Sequence, residues 1–126
     1  MALTNFKLMK QILLILSTIL ACAFSVEAKL NVVATLSDFG AVAREIGGDK
    51  VAVTVMAKPT EDSHFVDARP SFVVQLRTAD VLIEGGAELE LGWLPPLLQN
   101  ARNPKIEVGK PGRVQDRKST RLNSSH

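Results

Sequence analysis

Leu30 to Met56 reads LNVVATLSDFGAVAREIGGDKVAVTVM, and this stretch decides the fold class. Leu30 to Leu36 is apolar and rich in β-branched residues, as a strand buried on both faces requires. Ser37 is placed to cap a helix, with Asp38 in its first turn. Phe39, Val42, Ala43 and Ile46 recur at i, i+3, i+4 and i+7, which is one apolar helical face. Gly47-Gly48 supplies a left-handed stop, and Val51 to Met56 follows as a second strand.

The same alternation continues. Pro70 fits the first position of a helix, whose apolar face is Phe72, Val73 and Leu76 and whose end lies near Thr78. Asp80 to Glu84 is a short third strand, broken by Gly85-Gly86. Trp93 to Asn100 predicts a short helix with Pro95-Pro96 in its first turn, and its Trp93, Leu94, Leu97 and Leu98 read as core. Asn103-Pro104 is a turn, and Lys105 to Val108 predicts a fourth strand. Strands alternating with helices of this length imply an α/β fold, a mainly parallel sheet flanked by helices. No internal repeat is visible.

The two ends differ in composition from this centre. With 126 residues the chain holds one domain at most. Lys7 and Lys10, then an apolar run from Ile12 to Phe24 that is too short to span a membrane, then Val26-Glu27-Ala28 before Lys29, form a secretory signal pattern over residues 1–28. The only cysteine, Cys22, lies inside that run in Ile19-Leu20-Ala21-Cys22, a poor lipobox, and cleavage after Ala28 removes it. The remainder then forms no disulfide. The segment from residue 113 to 126, RVQDRKSTRLNSSH, has two aliphatic residues and no periodicity. It is expected to be disordered or foreign to the protein. The net charge of +2 comes from these ends, while residues 29–112 carry nine basic and eleven acidic residues. No basic stripe for nucleic acid is present.

Chemistry concentrates in Lys58-Pro59-Thr60-Glu61-Asp62-Ser63-His64, which leaves the carboxyl end of the second strand, where parallel sheets place their ligands. Neutral imidazole suits zinc, and Glu61 and Asp62 can bind the ion, orient the ring or add negative potential. A lone loop histidine is more often simply solvated. One imidazole also cannot hold zinc, since structural sites use four ligands and catalytic sites three protein ligands. His126, the other histidine, sits in the polar tail and is a poor second ligand. Glu84, Glu88 and Glu90 read as a solvated acidic stretch. Ser63 beside His64 makes no nucleophile–base pair, since no nucleophile-elbow motif surrounds it.

Taken in order, Ile46-Gly47-Gly48-Asp49, Glu61-Asp62-Ser63-His64-Phe65, Ala68-Arg69-Pro70-Ser71, Ala79-Asp80-Val81-Leu82-Ile83 and Gly86-Ala87-Glu88-Leu89-Glu90-Leu91-Gly92-Trp93-Leu94-Pro95-Pro96 resemble the amino-terminal part of the metal-binding solute-binding proteins of zinc and manganese ABC importers. The resemblance covers about residues 30–112. It implies the first lobe of a two-lobed, monomeric protein that captures zinc or manganese in the periplasm and delivers it to a membrane ABC permease. It also implies that His64 is the first metal ligand, matching the histidine of the family's Asp-Pro-His motif with Ser63 in place of proline. The family's other ligands lie beyond residue 112, so the chain is expected to be a truncated lobe, residues 29–112, that binds metal weakly. The resemblance implies no enzyme. A secreted metal-dependent hydrolase would need more ligands than one histidine supplies. A surface adhesion lipoprotein of the same family is the remaining alternative.

Overall fold

The computed structural model describes residues 2–22, 27–86 and 88–116. Helix α1 (Ala2–Cys22) is exposed over residues 2–21. It is longer than the apolar run from Ile12 to Phe24. By length and composition it could cross a membrane, a test that a signal sequence near the amino terminus also passes.

The folded part runs β1 (Leu30–Ala34), α2 (Ser37–Gly47), a 3-10 turn (Gly48–Lys50), β2 (Val51–Val55), α3 (Pro70–Thr78), β3 (Val81–Glu84), α4 (Leu94–Ala101), a second 3-10 turn (Pro104–Ile106) and β4 (Arg113–Gln115). The sheet order is β2-β1-β3-β4 and every pairing is parallel. The chain steps from β1 outward to β2, then crosses back to β3 on the other side of β1. The strand order therefore reverses between β1 and β3. Strand alternation turns Val33 and Leu82 toward α3 and α4, where they join Phe72, Leu76, Trp93 and Leu94 in the main core.

Helix α2 packs on the opposite face, rotated from the expected stripe. Gly40 and Ala43 are buried, while Val42 and Ile46 are 56% and 82% exposed. A Cβ at Gly40 would collide with Val55 Cγ2, so the helix meets β2 backbone-close at Gly40. That contact, and not the apolar periodicity, sets the helix rotation. Ser37 makes no capping bond and is already the first helical residue. Gly48 does end the helix, with φ 54° and its N–H donating to the Arg44 carbonyl.

The fourth strand is not Lys105 to Val108. The side chain of Asn103 accepts from the Lys105 N–H at 3.0 Å and donates to the carbonyls of Leu76 and Ala79, which closes a 3-10 turn there. The strand lies instead at Arg113–Gln115, directly past the expected edge of the folded part at Gly112. Two features put it there. Gly112 passes where a Cβ would meet the carbonyl oxygens of Lys105 and Asp80. Arg113 then grips Glu84 with two bonds of 2.9 Å, Nε to Oε1 and Nη2 to Oε2. A bidentate pair outweighs the polar composition of the segment. The expectation for residues 117–126, His126 among them, lies outside the described residues.

Two stability predictions follow from these contacts. The Glu84 and Arg113 side chains are 6% and 13% exposed. Arg113→Met strands a buried carboxyl group and is expected to cost about 3–5 kcal/mol in urea unfolding, with Glu84→Leu in the same chain restoring most of the loss. At the opposite end of the sheet, Asp80 Oδ1 meets Lys105 Nζ at 2.8 Å and Oδ2 accepts the Asn31 N–H at 2.9 Å. Lys105 first, then that N–H, holds the Asp80 carboxyl below its ordinary range. The associated stability is fully present above the unfolded value of about 3.9 and is lost as pH falls through the lower folded value. The gap in urea midpoint between wild type and Asp80→Asn should therefore stay constant above about pH 5 and close below about 3.9.

Candidate metal centre

The carboxyl ends of β1 and β3 flank the point where strand order reverses, the place where open parallel sheets receive ligands. Here the chain's own Glu90 occupies it. Glu90 is 4% exposed. Its Oε1 accepts the Thr35 hydroxyl at 2.6 Å and the Gly85 N–H at 2.8 Å, and its Oε2 accepts the Gly86 N–H at 3.1 Å. Glu84 is 5% exposed. Of the expected solvated acidic stretch, only Glu88 is exposed. A buried carboxylate needs donors on both oxygens. The signal legible in the sequence is Thr35, a hydroxyl directly after the end of β1.

Glu90 fixes the segment that leads into Trp93. Trp93 is buried, and its Nε1–H donates to the carbonyl of Ser63 at 2.8 Å. The residue directly before His64 is thus tied to the core across 30 positions of sequence. The His64 carbonyl leaves only ordinary contact room, 3.4 Å, for a Cβ at Gly92. The loops after β2 and β3 are clamped together at the sheet's carboxyl edge.

Within the first loop, the acidic residues serve the turn itself. Glu61 Oε2 accepts the Lys58 N–H at 3.0 Å and Oε1 accepts the Asp67 N–H at 3.5 Å. The Lys58 N–H is the chief cause that keeps the Glu61 carboxyl below its usual value. Asp62 Oδ1 accepts the His64 N–H at 2.9 Å and lies 3.0 Å from His64 Nδ1. The His64 N–H, then the ring, lowers the Asp62 carboxyl too. The His64 side chain is 53% exposed. Among the described residues, no three His, Cys, Asp or Glu side chains come together as a metal cage. The described residues therefore offer one imidazole, braced by Asp62, and no complete coordination shell.

The family model for the periplasmic component A of the zinc-uptake complex, ZnuA, matches residues 32–125. The chain belongs to this family. Among curated relatives, the manganese ABC transporter substrate-binding lipoprotein ScaA of Streptococcus gordonii is 33% identical over 81 residues, covering 62% of this chain and 26% of the relative. The iron ABC transporter substrate-binding lipoprotein MtsA of Streptococcus pyogenes is 34% identical over 80 residues, covering 61% and 26%. The chain thus spans about a quarter of the length of these relatives. The periplasmic zinc binding protein TroA from Treponema pallidum shares the fold, with a TM-score of 0.55 at 20% identity over 70% of this chain and 28% of that one. Zn(II)-bound AdcA from Streptococcus pneumoniae gives 0.52 at 23% identity, over 62% and 17%. The family match runs past Gly112 and takes in β4.

The Trp93 tether yields a direct test. Trp93→Phe keeps an aromatic ring in the core but removes the N–H donor and part of the indole volume. It should cost about 1–3 kcal/mol of stability. Amide hydrogen exchange should accelerate selectively at Asp62 to Phe65, with the sheet amides unchanged.

Proposed function

We propose that this chain is the amino-terminal lobe of a solute-binding protein. It captures a divalent transition metal ion, zinc in first place and manganese in second, and delivers it to an ABC permease. The observation that carries this reading is the placement of His64. In a chain of the ZnuA family, an exposed imidazole stands at the carboxyl edge of the parallel sheet, on a loop tethered to the buried Trp93. Relatives named for manganese and iron transport, and neighbours named for zinc, support a metal cargo without selecting one ion.

In this reading residues 1–28 act as a signal peptide, and the lobe begins at Lys29 and includes β4. The protein works in the periplasm as a monomer, binds no nucleic acid and catalyses no reaction. The lipoprotein names of the relatives favour a second form, anchored through Cys22. Mass spectrometry of the exported chain distinguishes the two, since cleavage before Lys29 removes Cys22 and lipidation retains it.

A single imidazole with carboxylates nearby makes a weak site. Titration of the 126-residue chain against a chromophoric zinc chelator should give binding weaker than about 1 μM, roughly −8 kcal/mol. That falls short of the ~10–16 kcal/mol of complete structural zinc sites. His64→Ala should abolish it. Sub-micromolar binding that survives His64→Ala would remove His64 from the site.

A further inference from the structure

We infer that Asp62 is a positioning residue that fixes the proton of the His64 ring on Nδ1 and leaves the Nε2 lone pair for the ion. This rests on the reading of His64 as a metal ligand. A histidine ring has two nitrogens, and the hydrogen bond made by one sets which form the other takes. An ionised carboxylate only accepts. Asp62 Oδ1 lies 3.0 Å from Nδ1, so the bond between them exists only when Nδ1 carries the proton. The same oxygen takes the His64 backbone N–H at 2.9 Å. Backbone and ring of one residue are therefore registered against a single atom.

The neighbourhood keeps Asp62 in that role. The Asp62 carbonyl accepts the Phe65 N–H at 3.0 Å, closing the turn around His64. Glu61, the neighbouring carboxylate, is engaged with the N–H groups of Lys58 and Asp67. Trp93 holds the Ser63 carbonyl, which lies between the two partners. Asp62 and His64 are thus presented from a turn anchored on both sides of Ser63. The side chains themselves are 60% and 53% exposed, which leaves Nε2 room to meet an ion. A metal-bound histidine commonly donates its other N–H to a carboxylate, which raises its basicity and fixes its angle. Here that arrangement stands before any ion arrives.

The test is imidazole ¹⁵N NMR on the full chain in detergent micelles. His64 and His126 are told apart by a His126→Asn variant. In the metal-free wild type at pH 8, Nδ1 of His64 should show the protonated shift and Nε2 the unprotonated one. Asp62→Asn keeps the turn's backbone acceptor but weakens the ring bond, and Asp62→Ala removes both. The Nδ1-protonated form should decline in the first and give way in the second to the Nε2-protonated form that free side chains favour. Added zinc should shift Nε2 in the wild type, and Asp62→Asn should weaken zinc binding by about 10–100-fold. An Nε2-protonated wild type, a tautomer unchanged in both variants, or a zinc shift at Nδ1 would each overturn the assignment. Failure to bind zinc with the Nδ1 tautomer intact would instead overturn the metal reading, because the tautomer is measured without metal.

Discussion

The carboxyl edge of this sheet is organised by one buried carboxylate. Glu90 joins the end of β1, through Thr35, to the start of the loop after β3, through the N–H groups of Gly85 and Gly86. Leaving such a group without donors in the interior would be far more costly than any single contact it makes. The geometry around it is therefore narrowly constrained. A Cβ at Gly85 would crowd Leu89 Cδ1 at 2.8 Å, so the backbone must come this close to reach the carboxylate. The crevice at the strand-order reversal is thereby filled from within, and the neighbouring loop after β2 carries the exposed His64.

A histidine on this exposed loop is nevertheless held in a defined place. Met56, Ala57 and Val66 anchor the ends of the loop in the main core, while Phe65 beside His64 is 82% exposed. The turn between these anchors is ordered by polar closure. Glu61 ties both sides of the turn, Asp62 ties His64, and Trp93 attaches the whole to the core. The indole bond to the Ser63 carbonyl restrains the backbone directly before His64. Glu61 and Asp62, which the sequence offered as metal ligands, close the turn that carries His64.

The pairing of Arg113 with Glu84 extends the same lesson to the other side of the sheet. Composition argued against structure past Gly112, because a polar, arginine-rich segment buries little apolar area. A bidentate ion pair and the ladder bond from the Leu82 N–H to the Gly112 carbonyl supply what apolar burial does not. Both depend on Gly112 slipping between two carbonyls, a steric permission that carries no periodic signal.

The sequence alone determined the alternation of strand and helix, the parallel sheet, and the core positions Leu76, Trp93 and Leu94. Each of these is written in local periodicity, in turn residues or in a motif, and each survives because burial of apolar strands dominates the energetics. Only the tertiary structure decided the rotation of α2 about Gly40, the burial of Glu84 and Glu90, the place of the fourth strand, and which partner each loop carboxylate takes. These rest on contacts between residues such as Thr35 and Glu90, or Ser63 and Trp93, that lie far apart in the chain. A polar side chain's fate depends on whether a donor waits for it in space, and linear spacing does not record that.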